Sequence, residues 1–88
     1  MGKKFDETLQ YLGDDYSLKI IDLENVIYRK ISEYEIEISG LNQKGKYNAT
    51  IYLWKNRQII KSIQDISSKE ELSKHLGTLL LKLENNQD

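Results

Sequence analysis

The sequence predicts an α+β domain of two layers: a short N-terminal helix, a three- to four-stranded antiparallel sheet and a C-terminal amphipathic helix. Three observations carry this expectation. The middle of the chain holds two alternating runs, YEIEIS (34–39) and YNATIYLWK (47–55), joined by a glycine-containing loop. Toward the C-terminus, Leu72, Leu76, Leu79, Leu80 and Leu83 make an apolar stripe at helical spacing. Near the start, Phe5, Leu9 and Leu12 stand at i, i+4 and i+7. Two such helices can cover one face of a small sheet and leave the other open.

In chain order, the first helix covers residues 3–12, and Gly13 supplies its stop. Asp14 and Asp15 turn the chain. The stretch 16–31 reads two ways. Its β-branched and tyrosine content favours two strands, YSLKII and VIYRKI, around a DLEN turn. Ile20, Leu23, Ile27 and Ile31 would also suit one face of a helix.

The hairpin register follows from keeping Ile36 and Ile38 on one face with Ala49, Ile51 and Leu53. Pairing Ile36 with Ile51 and Ile38 with Ala49 does so, and a one-residue slip would mix the faces. That register sets Glu37 opposite Thr50, Glu35 opposite Tyr52 and Glu33 opposite Trp54. A two-residue turn at Asn56-Arg57 then leads to QIIKSIQDI (58–66), pairing Leu53 with Ile60, Trp54 with Ile59 and Thr50 with Ile63. The last helix opens on Ser68 and Glu71 at capping-box spacing. Gly77 within it marks a close approach to the sheet or has no structural role. Residues 85–88 are expected to fray, leaving one domain with an ordered core of about 4–84.

Composition narrows the function. There is no cysteine, which removes disulfides, iron–sulfur clusters and thiolate nucleophiles. The N-terminal stretch has no apolar segment of signal-peptide type, and no run approaches the ~20 apolar residues of a membrane helix. The expectation is a soluble cytoplasmic protein with no membrane contact. Residues 1–40 carry five Lys/Arg against nine Asp/Glu, and residues 41–66 carry five against one. The first half is acidic and the middle basic.

The alternation Glu33, Glu35, Glu37 lines one strand face with carboxylates ~6.5–7 Å apart, twice the rise per residue. That spacing matches the carboxylate pair of an inverting glycosidase, but catalysis also needs a cleft that raises one carboxyl's pKa. A straight row does not converge on a cation, and there is no phosphate loop or nucleophile elbow. His75 falls beside the leucine stripe within reach of Glu71, as a helix-edge residue. The expectation is therefore no enzyme, no cofactor and no metal.

Two binding readings remain. Glu33, Glu35, Glu37, Thr50, Tyr52 and Trp54 form an acidic, aromatic sheet face suited to a protein partner with a basic surface. Its structural alternative is a homodimer through that face. Lys44, Lys46, Lys55 and Arg57, at the two ends of the hairpin, are the candidate contacts for nucleic acid. Helix, antiparallel strands, helix resembles the order of the double-stranded-RNA-binding domain. That family uses a lysine-rich start to its second helix, whereas SSKEELSK carries two glutamates, so nucleic acid is the lesser reading.

A short helix running into DDYSLKI, then a small antiparallel sheet and a C-terminal helix, also resembles the small phage-encoded inhibitors of bacterial defence, the anti-CRISPR proteins among them. The resemblance spans the chain in element order, without a diagnostic motif. It implies stoichiometric inhibition of a protein target, in some members through an acidic face that occupies a basic channel. This chain is less acidic than a nucleic-acid mimic.

Overall fold

Helix α1 (Lys3–Leu12) leads into five strands, β1 (Ser17–Ile21), β2 (Glu24–Ile31), β3 (Tyr34–Ser39), β4 (Ala49–Lys55) and β5 (Gln58–Ile66), followed by helix α2 (Lys69–Asn85). The computed structural model describes residues 2–85. Residues 86–88 of the segment expected to fray lie outside the described residues. The strands form one antiparallel meander in sequence order, β1 to β5. The α+β class and both helices stand as expected. The sheet has five strands rather than three or four.

The extra strand comes from the ambiguous stretch, which folds as the β1–β2 hairpin. Its turn is Asp22-Leu23 alone, both at positive φ (51° and 67°), which matches the twist of a tight hairpin. The four-residue DLEN turn is therefore too long, because Glu24 and Asn25 already pair with Ile21 and Ile20. Non-glycine residues rarely take that conformation, so this turn had no conspicuous signal. Helical spacing of the isoleucines loses because alternation serves the sheet better. Ile27 enters the core on one face, while Tyr28 goes to the other.

The core lies between the helices and one face of the sheet. Ile27, Ile36, Ile38, Ile51 and Leu53 from the strands meet Phe5 of α1 and Leu72, Leu76 and Leu79 of α2. Thr8 is also fully buried on α1, where its hydroxyl shares a 2.8 Å hydrogen bond with the Tyr47 hydroxyl. Arg29 occupies this same face beyond Ile27. Its guanidinium lies 5.3 Å from the centre of the Tyr16 ring and 3.9 Å from Asp15, so the charge is partnered where it meets the core edge.

The hairpin register differs from the expected one by two residues. Ile36 pairs with Leu53, Ile38 with Ile51, Glu37 with Tyr52, Glu35 with Trp54 and Ser39 with Thr50. A shift of two keeps each side chain on its face. The cause is the loop between β3 and β4. Leu41 is buried in the core and Tyr47 packs against it, so Tyr47 and Asn48 leave the ladder and β4 begins at Ala49. On the other side, Trp54 pairs with Ile59 as expected. Leu53 pairs with Lys61, and Ile51 with Ile63, because the ladder is shifted by irregularities at Leu53/Trp54 and Ala49/Ile51. Such bulges admit extra residues on β5, which displaces the expected Leu53–Ile60 and Thr50–Ile63 pairs. Bulges in an edge strand such as β5 are a usual defence against edge-to-edge association.

The start of α2 is a modified capping box. The Ser68 Oγ accepts the Glu71 backbone N–H at 3.1 Å, while the Glu71 carboxylate accepts from the Ser67 hydroxyl at 3.0 Å. His75 Nε2 lies 3.9 Å from Glu71 one turn on. Gly77 makes no close approach to the sheet, since a Cβ added there would meet nothing within 4 Å. Gly77→Ala is thus expected to stabilise the protein by about 1 kcal/mol, the helix-propensity difference. Chemical denaturation checks it, and a destabilised variant would refute an unconstrained glycine.

Candidate functional site

The sheet face away from the helices is open, and its side chains follow from register. Tyr28, Glu37, Tyr52 and Ser62 form one cross-strand row, and Lys30, Glu35, Trp54 and Ile59 the next. On β1, Lys19 pairs with Val26, one alternation from Tyr28. The two central carboxylates hold aromatic partners diagonally. The Tyr28 hydroxyl donates to Glu35 Oε1 at 2.6 Å. Trp54 Nε1–H donates to Glu37 Oε1 at 3.0 Å. Diagonal neighbours on a sheet are close enough for long side chains to meet.

These groups surround a shallow cleft of about 280 Å³. Tyr28, Trp54 and Ile21 supply its apolar walls, with Glu35 and Glu37 between them. Lys19 and Arg57 complete its lining. The Lys19 ammonium lies 4.0 Å from the centre of the Tyr28 ring, a cation–π contact.

Glu37 is only 8% exposed. Burial pushes its pKa up, against the stabilising Trp54 hydrogen bond; Glu24 and Asp22 add to the rise, and Lys19 offsets part of it. Tyr28, whose proton is held by Glu35, is pushed up to about 12. Burial also raises the phenols of Tyr16 and Tyr47 on the other side of the molecule.

The Glu37 shift sets a pH dependence. A carboxyl whose folded pKa exceeds its unfolded value binds protons more readily when folded, so its ionisation removes stability as pH rises through that interval. Glu37→Gln, which can still accept from Trp54, is expected to gain stability relative to the native protein between pH 3 and pH 7. Paired urea titrations at about pH 3 and pH 7 measure the difference. A gap that is constant or narrows toward neutrality would show that Glu37 is not strained by its charge.

The other expected site residues are dispersed. Glu33 is a turn residue between β2 and β3, where it pairs with Lys55 at 3.4 Å. It does not extend the carboxylate row. Thr50 lies opposite Ser39 at the far end of the face. Lys44 and Lys46 line a separate groove of about 390 Å³ with Tyr47 and Asp65. Arg57 belongs to the acidic cleft, so the four basic residues do not form one patch. Lys19, Ile21 and Tyr28 were missing from the expected site. Their signal is the alternation of 16–31 read as strands, which places Tyr28 opposite Glu37.

Among the described residues, no group of three or more His, Cys, Asp or Glu side chains could hold a metal ion. Among them, too, no helix is long and apolar enough to cross a membrane. Compared with known proteins, the chain matches no family model, no curated protein and no solved structure.

Proposed function

We propose that this protein is a non-enzymatic binding module that captures a protein partner stoichiometrically through its open sheet face. The observation that carries the reading is the pair of carboxylates held by aromatic donors in the cleft between Tyr28 and Trp54. Aromatic side chains supply large contact area at low entropic cost, and carboxylates around them favour a partner with a basic surface. Fixing Glu35 and Glu37 in the free protein reduces the ordering cost of association. The mode of action is that of an inhibitor or adaptor, the type suggested by the resemblance to phage-encoded inhibitors, and it requires no cofactor.

Affinity capture from a lysate of the native cells tests this, with native protein beside Glu35→Lys and Tyr52→Ala. Lys74→Glu on the exposed side of α2 serves as control. The expected result is a partner retained by native protein and control but lost from both face variants, with folding confirmed by thermal melts. Retention by both face variants would remove the sheet face from the function. Light scattering on the isolated protein separates a foreign partner from a second copy of the chain.

A further inference from the structure

The cleft on the open face is built around a cation that belongs to the chain itself. Lys19 is exposed on the outer strand, yet its ammonium is turned onto the Tyr28 ring at 4.0 Å. It also acts electrostatically on Glu37, the buried carboxylate of the cleft. Acids outnumber bases around this point. Glu35 and Glu37 lie in the cleft, and Glu24 and Asp22 are near enough to act on Glu37, against Lys19 and Arg57 of the lining and Lys30, the cross-strand neighbour of Glu35. Each cleft carboxylate has one oxygen committed to an aromatic donor, Glu35 to Tyr28 and Glu37 to Trp54. One oxygen of each is left to accept from a ligand.

We infer that this cleft receives an arginine side chain of the protein partner, with Lys19 holding the place of that cation in the free protein. The inference rests on the binding role proposed above for this face. A planar guanidinium stacks its face on an aromatic ring and donates from its edges, within its plane, in more than one direction, which suits two separate single acceptors between Tyr28 and Trp54. A compact ammonium such as that of Lys19 reaches only one ring and one field of charge. Lys19 is the displaceable occupant because it has a flexible stem, an exposed position and an edge strand beneath it. While it covers Tyr28 it reduces the fraction of molecules ready to bind.

Trp54 is the sole tryptophan of the chain and forms a wall of the cleft, so its fluorescence and its indole N–H resonance report occupancy directly. The probe is the blocked tripeptide acetyl-Gly-Arg-Gly-amide. Beside it run the same peptide with citrulline, which keeps the shape without the charge, and one with lysine.

A saturable response is expected for the arginine peptide, weaker for lysine and absent for citrulline. Lys19→Ala should tighten binding at least about threefold by removing the internal competitor. Glu37→Gln should weaken it by about tenfold while keeping the Trp54 hydrogen bond. Equal binding of the citrulline peptide, weaker binding by Lys19→Ala, or no response from Trp54 up to the solubility of the arginine peptide would each overturn the assignment. If the peptide fails while Glu35→Lys still abolishes partner capture, the arginine pocket falls and the binding face stands. If capture survives both face variants, the binding face itself falls.

Discussion

Phe5→Ala is expected to destabilise the protein by about 3–5 kcal/mol, the range for emptying a fully buried phenylalanine site. The whole stability of an 88-residue domain is roughly 4–13 kcal/mol, so this one change brings the fold near its limit. The effect is large because α1 depends on very few anchors. The helix has ten residues, too few to be stable alone in water. Its buried side chains are Phe5 and Thr8, with Leu9 and Leu12 only partly covered. Thr8 is committed to Tyr47 of the β3–β4 loop, so loosening α1 also loosens that loop. Urea denaturation followed in parallel by far-ultraviolet circular dichroism and Trp54 fluorescence measures the loss. Trp54 stands on the opposite face, so coincident transitions would show that α1 and the sheet unfold together. A cost below about 1.5 kcal/mol would mean that the site collapses or that α1 adds little to the core.

The apolar pattern made the helices and the faces of the central strands legible, for a common reason. Each is a one-sided element, and burial of one side writes a period into the sequence. Leu72, Leu76 and Leu79 follow that rule, as do Ile36, Ile38, Ile51 and Leu53. Register was less legible because period two specifies a face but not a partner. Both the expected pairing of Ile38 with Ala49 and the observed one with Ile51 satisfy the face. The choice was made by Leu41 and Tyr47, loop residues whose burial has no periodic signature. The β1–β2 turn was obscured for a different reason. Asp22-Leu23 and Asn56-Arg57 both adopt positive φ without the usual Asn-Gly or Asp-Gly signal; Asn56-Arg57 is still legible as a two-residue turn, whereas Asp22-Leu23 reads as the longer DLEN.

The site was half legible for the same reasons. Glu35, Glu37, Tyr52 and Trp54 came from alternation in two unambiguous strands. Tyr28 and Lys19 depended on resolving 16–31, where helix and strand periods coincide over the isoleucines. Glu33 was drawn into the row by alternation that continues past the strand's end. The diagonal hydrogen bonds were beyond reach, since they follow from the register and not from composition. They change what the glutamates are. Glu35 and Glu37 are not a uniform wet row but two carboxylates with assigned donors, one of them nearly buried.

Gly40→Ala is expected to cost about 2–4 kcal/mol, a large effect for one methyl group and one of the class produced by backbone strain with steric overlap. Two separate terms add. Gly40 has φ +91°, a region that a side chain enters at a cost of roughly 1–2 kcal/mol. A Cβ there would also lie 2.8 Å from the Asn48 carbonyl oxygen. That oxygen belongs to the backbone at the entrance to β4, so it cannot swing aside as a side chain would. Relief requires moving either β3's end or β4's start. The first would strain the Gly40 N–H bond to Glu24, 3.3 Å long, and the burial of Leu41. The second would disturb the loop contacts that set the two-residue register.

Gly45 separates the terms. It has φ +101° in the same loop, but its Cβ would meet nothing within 4 Å. Gly45→Ala should therefore show the conformational term alone, about 1–2 kcal/mol. The excess for Gly40→Ala is the steric part, and denaturant midpoints at constant m-value measure both. Equal losses at the two positions would show that β3 and β4 can part at little cost. The register of the face bearing Glu37 and Trp54 would then be held by something other than this close approach.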